Sequence, residues 1–215
     1  DHHDIMRMET GLMRYISASV EENNSDDLSV LKMDLPKIPE GEMFPHMKLR
    51  EAQELIKEKT GKDSTAEPDL EPEDERWLCK YANEELGSDF IFITHYPVSK
   101  RPFYTYEDEN DPGFTKSFDL LFRGVEITTG GQRVHDIEIL RQKIKERGLD
   151  DSLFEFYLQV FRFGIPPHGG WGMGLERLTQ KFCDVKNVKE ATLFPRDINR
   201  IDTLTSKDKS EEAEL

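Results

Sequence analysis

Within the stretch Ser117–Arg133 two carboxylates, Asp119 and Glu126, sit among apolar and β-branched residues. Runs of this kind read as strands, where an acidic side chain is normally unwelcome. The acids are an odd number of positions apart, so one regular strand would put them on opposite faces. They reach one site only if a bulge or tight turn lies between them, and Arg123-Gly124 is the place the sequence offers. Converging carboxylates among apolar walls hold a divalent cation, and their hard oxygens suit magnesium, which commonly arrives with a substrate's phosphates. The other reading is a pair of exposed edge charges. Downstream, the small residues Thr128-Thr129-Gly130-Gly131 let a ligand approach the backbone, and Arg133 offers a rigid fork of donors to a carboxylate or phosphate. Together these features imply a phosphate-bearing substrate.

A chain of 215 residues, 36% hydrophobic and 34% charged, has the length for one domain with a genuine core. No apolar run approaches the length of a bilayer span, and Asp1-His2-His3-Asp4 is neither a basic leader nor an apolar signal core. A cytoplasmic protein with no membrane partner is expected. Cys79 and Cys183 are far apart and in no metal-binding spacing, which predicts reduced thiols. The net charge of −15 argues against this chain holding a long nucleic acid by itself.

Ile5, Met8, Leu12 and Ile16 recur at helical spacing and predict an amphipathic helix from about Asp4 to Val20; His2 and His3 ahead of it are of a ligand type, but adjacent histidines at a chain start are far more often solvated, which is the expectation here. Residues 21–41 read as a loop, and about 21–75 as an inserted segment containing a helix marked by Leu49, Ala52, Leu55 and Ile56 that ends near Gly61. A helix opening near Pro72 turns Trp77, Leu78, Tyr81 and Leu86 inward. Asp89–Thr94 predicts a buried strand, which Lys100–Tyr104 would continue after a turn, its basic pair either solvated, the commoner case, or pointed at a ligand. Ile137, Leu140 and Ile144 predict a helix closed by Gly148; Phe154, Tyr157, Leu158 and Phe161 predict another ended by Gly164.

The run His168-Gly169-Gly170-Trp171-Gly172-Met173-Gly174-Leu175-Glu176-Arg177-Leu178 combines alternating glycines with a helical repeat. It predicts a strand bare of side chains on one face, a floor for a planar base, feeding a helix whose start and Arg177 favour an anion. Its glycine spacing is neither a dinucleotide fingerprint nor a P-loop, and alone it could serve only packing.

Gly172–Arg177 resembles motif 3 of the class II aminoacyl-tRNA synthetases. The segment from Phe118-Asp119 through Glu126 to Gln132-Arg133-Val134-His135 is similar to the part of that family that binds magnesium-ATP and the amino acid, most closely in the archaeal and eukaryotic aspartyl branch. Pro166-Pro167-His168-Gly169 and Leu193-Phe194-Pro195-Arg196-Asp197 extend the likeness. The resemblance implies an α+β fold, an antiparallel sheet flanked by helices, occupying about residues 1–205 ahead of a polar tail at 206–215. It implies that Asp119, Glu126 and Thr129 hold Mg2+, that Arg133 forks the aspartate side chain, and that Gly174, Leu175, Glu176 and Arg177 bind ATP with Glu126. Arg133, Arg177 and Glu126 would be the catalytic groups. Where the family often has serine this chain has Thr129, and both offer a hydroxyl.

The implied reaction joins L-aspartate to ATP and passes the adenylate to tRNA(Asp), within a homodimer. The family's first two motifs and its anticodon-binding barrel have no counterpart here, so the chain is expected to be the carboxyl-terminal part of a longer enzyme and to activate aspartate poorly alone. Alternatives are an asparaginyl-tRNA synthetase, or a synthetase-like paralogue acting as a small-molecule ligase or a binding subunit; Val134-His135 favours the aspartyl branch.

Overall fold

The computed structural model describes residues 1–195. Arg196-Asp197 and the polar tail at 206–215 lie outside them. Among the described residues five strands form one sheet in sequence order: β1 (His46–Lys48), β2 (Phe90–Thr94), β3 (Ser117–Phe122), β4 (Val125–Arg133) and β5 (His168–Met173). Only the β1–β2 pair is parallel; the rest of the sheet is antiparallel, as expected.

Helices cover both faces. On one, α1 (His2–Asn23) and α7 (Leu175–Phe182) pack Met6, Met13, Leu178 and Phe182 against Phe90, Phe92, Phe118, Leu120 and Phe122. On the other, α3 (Leu49–Thr60) and α4 (Pro72–Glu85) pack Ala52, Ile56, Leu78 and Ala82 against Ile91, Ile93 and Leu121. β2 is therefore buried at every position, since alternate side chains serve opposite layers. A third cluster joins Val134 to Leu140 and Ile144 of α5 (Ile137–Glu146) and to Leu158 and Phe161.

The helix stops are those the sequence marks: Gly61 and Gly148 have φ of 79° and 70°, a left-handed backbone that glycine adopts without strain. Other expectations need correction. The buried face of α1 is His2, Met6, Glu9, Thr10, Met13 and Ser17, while Met8 is 64% exposed. Polar residues share that face, so an apolar repeat locates it one flank away. Loop 21–41 contains a short exposed helix, α2 (Ser25–Leu31). Residues from His46 onward join the sheet and the core. On α4, Cys79 and Ala82 are buried and Leu86 is exposed. Lys100–Tyr104 forms no strand; a 3-10 turn, Val98–Lys100, leads into a loop. The aromatic stripe lies on two 3-10 turns, Asp151–Phe154 and Gln159–Phe163, around the single-turn α6 (Glu155–Leu158).

Candidate functional site

The site is built on the β3–β4 hairpin. Arg123 and Gly124 close it with φ of 45° and 89°, the pair of positive values that a two-residue turn matching strand twist requires. Arg123 is held there by Asp89 and by the Lys181 and Asp34 carbonyls, to which it donates. The turn alone does not bring the acids together. Asp119 lies opposite Thr129 and Leu120 opposite Thr128, but Leu121 lies opposite Glu126, leaving Ile127 as an extra residue in β4. Directly opposed residues share a face, so this bulge carries Glu126 to the face of Asp119 and Thr129.

There the Thr129 hydroxyl donates to Glu126 Oε1 at 2.7 Å. Arg177 donates from Nη1 to the Glu126 carbonyl at 2.9 Å and stands 3.8 Å from its carboxylate. Asp119 is buried, and Arg101 donates from Nη2 to its Oδ2 at 2.8 Å while lying over the Tyr96 ring. Burial raises the Asp119 carboxyl, opposed by Arg101 and reinforced by Glu126. Glu75 of α4 joins the same face by accepting from the Glu126 amide, and burial raises its carboxyl too. Of the basic pair, Arg101 is thus buried at the site, against the commoner solvated case, while Lys100 remains outside. Nothing in a polar Lys-Arg dipeptide marks it, although Pro102-Phe103-Tyr104 beside it is apolar enough to anchor a loop.

A cavity of about 300 Å³ opens beside these groups, lined by Arg101, Tyr104, Thr129, Arg133, Gly170 and Gly172 among others. Arg133 lies over the Tyr104 ring, 5.2 Å from its centroid. Gly170 and Gly172 give the cavity its bare wall: a Cβ at Gly172 would meet nothing within 4 Å, and one at Gly170 only the Arg133 guanidinium. Gly169 faces the other way, where a Cβ would strike Ile5 and the Gly131 carbonyl. Past β5, the Gly174 amide donates to the Ile127 carbonyl and α7 begins, with Leu175, Glu176 and Arg177 exposed.

The expected residues therefore form one connected face but do not all line one hollow. Thr129 and Arg133 border the cavity. Asp119 lies behind Arg101, and Glu126 and Arg177 stand at the hairpin end, joined to the cavity through Thr129. The donor set fits a hard cation: Asp119 Oδ1 is buried with no hydrogen-bond partner, and the Glu126 carboxylate and Thr129 hydroxyl supply further oxygens.

The family model for class II tRNA synthetases (D, K and N) matches residues 1–198. The aspartate–tRNA(Asp/Asn) ligase of Aeropyrum pernix is 45% identical over 93% of this chain and 45% of its own length; that of Thermus thermophilus is 44% identical over 94% and 46%. The chain thus spans less than half the length of these relatives. Among solved structures, an aspartyl-tRNA synthetase from Entamoeba histolytica superposes with a TM-score of 0.87 at 32% identity, covering 94% of this chain and 42% of that one. An asparaginyl-tRNA synthetase from Pyrococcus horikoshii gives 0.82 at 31%, covering 94% and 47%. From residues 1–198 and this sheet, the chain belongs to the class II tRNA synthetases of the D, K and N group.

Proposed function

We propose that this chain supplies the amino-acid and nucleotide site of an aspartate–tRNA ligase. The observation that carries the reading is the cavity bordered by the Arg101 and Arg133 guanidinium groups, the Thr129 hydroxyl and a glycine wall, next to the carboxylates of Asp119 and Glu126. Arg133 forks the side-chain carboxylate of L-aspartate, a match of charge and geometry that an amide would not provide. The nucleotide base lies along Gly170 and Gly172, and the α7 start from Gly174 through Leu175 and Glu176 to Arg177 receives the phosphates of ATP. Asp119, Glu126 and Thr129 would hold Mg2+, which would supply charge neutralisation at the phosphate oxygens.

With the reactants so placed, the α-carboxylate of aspartate attacks the α-phosphorus, an oxygen–phosphorus bond forms, and pyrophosphate leaves. The terminal hydroxyl of tRNA(Asp) then takes the aspartyl group and AMP leaves. Rate comes from alignment and from cations facing the developing charge, without a side-chain nucleophile. The resemblance also implies a cytoplasmic homodimer. Among the described residues no helix is long and apolar enough to cross a membrane.

Pyrophosphate exchange on the natural protein that carries this chain tests the reading. Exchange driven by aspartate and not by asparagine is expected; exchange with asparagine alone would replace it by the asparaginyl reading, and none with either would favour the paralogue. Arg133→Leu should raise KM for aspartate far more than KM for ATP.

A further inference from the structure

The first turn of α1 lies apart from the acid-lined face and contains a second constellation of ligands. His2 is only 4% exposed, against the expectation that it is solvated, and neither Nδ1 nor Nε2 has a hydrogen-bond partner. A buried polar group left unpaired costs about 1–3 kcal/mol, so its place needs a cause. Its ring lies 4.0 Å from that of His3. One ligand atom each from Asp1, His2 and His3 falls within 4.8 Å of the others, and among the described residues this is the group of three or more that could hold a metal ion.

Asp1 spends Oδ1 on the amides of His3 and Asp4, which leaves Oδ2. His95 forms the wall: its Nδ1 is 2.8 Å from the Thr94 hydroxyl and its Nε2 3.2 Å from Asp108, so both nitrogens are engaged. His46 stands next to His3 with ring centroids 6.2 Å apart.

We propose that His2, His3 and the Asp1 carboxylate form a site for a divalent transition-metal ion of the zinc type, with a water completing the tetrahedron. Imidazole nitrogens with one carboxylate suit zinc rather than magnesium. Rotation of the half-exposed Asp1 and His3 side chains closes the ligand spacing to the roughly 3.3 Å that tetrahedral bonds of about 2.0–2.1 Å need. The ion satisfies the buried His2 nitrogen and fastens the start of α1 beside the end of β2.

The test uses the natural protein without a histidine tag. After chelator dialysis the protein is titrated with Co2+ and then competed with Zn2+. Intense visible d–d bands saturating at one equivalent and displaced by zinc are expected; an oxygen-rich site such as that of Asp119 would give only weak bands. His2→Gln and His3→Gln should each weaken binding by tenfold or more, since altering even an outer-sphere partner costs about 10–100-fold. Asp4→Asn should leave it unchanged. Absence of the intense bands, or bands that survive both histidine substitutions, overturns the site; His3→Gln, at a half-exposed position, keeps the test valid if His2→Gln misfolds.

Discussion

The two faces of the β3–β4 hairpin come from the same residues in alternation, yet they are different media. Toward α1 stand Phe118, Leu120, Phe122 and Ile127, each at most 1% exposed. On the opposite face stand Ser117, Asp119, Glu126, Thr129 and Gly131, with Arg101, Glu75 and Arg177 brought from elsewhere. One face holds the sheet together by excluding water; the other concentrates charge and leaves the Asp119 Oδ1 unpaired. The comparison teaches that the stable face sets the positions of the reactive one, because a side chain on β3 or β4 cannot move without disturbing its neighbours underneath.

Breaking the apolar face should have the largest effect. Phe118 is fully buried, edge-on to Phe92 at 5.3 Å. Phe118→Ala should cost about 3–5 kcal/mol in chemical denaturation. A destabilisation much below that would mean the sheet collapses into the space, and the two faces are less coupled than their alternation implies. On the polar face, Arg101→Met strands Asp119 as a buried, unpaired acid and should cost about 3 kcal/mol, the low end for such breakage. The double variant with Asp119→Asn should recover most of the loss; no recovery would assign Arg101 a role outside the pair.

The difference between the faces was partly legible in the sequence. Arg123-Gly124 announces its turn because glycine is the residue that accepts φ near 90°, and the Gly61 and Gly148 stops are read on the same ground. The bulge at Ile127 leaves no such mark: an isoleucine in an apolar strand looks the same paired or unpaired, and only the register with Leu121 reveals it. Arg133 is marked by its local chemistry and Thr129 by the family resemblance, whereas Arg101 and Glu75 reach the face from distant segments that sequence spacing does not relate. The buried side of α1 was misread because His2, Glu9, Thr10 and Ser17 occupy positions that a hydrophobic repeat assigns to solvent.

Glu9 is the exception on the apolar face and sharpens the comparison. It is fully buried, neither carboxylate oxygen has a hydrogen-bond partner, and burial, with the charge of Asp119, pushes its carboxyl from 4.5 up to about 7. Below pH 4.5 both folded and unfolded chains hold the proton, and Glu9 makes stability no more dependent on pH. As pH rises toward 7 the unfolded chain releases it first, so stability falls, by about 3 kcal/mol in all, and levels above 7. Glu9→Gln should remove that fall, read as the difference between the two proteins in urea midpoints from pH 4.5 to 8. Parallel curves would show that Glu9 is ionised throughout.

The smallest effect on stability should come from Gly172→Ala. On the packed side of the neighbouring strand, a Cβ at Gly130 would lie 2.5 Å from the Phe118 ring, and Gly130→Ala should cost about 1–3 kcal/mol by overpacking. At Gly172 the Cβ enters open space, so stability should stay within about 0.5 kcal/mol. The methyl nevertheless stands on the cavity wall, where a base displaced by about 1 Å can cost on the order of 100-fold in kcat/KM. Stability unchanged with ATP-dependent exchange impaired would establish the bare wall as a ligand surface. Unimpaired exchange would place the nucleotide elsewhere and leave Gly172 with no function that its surroundings explain.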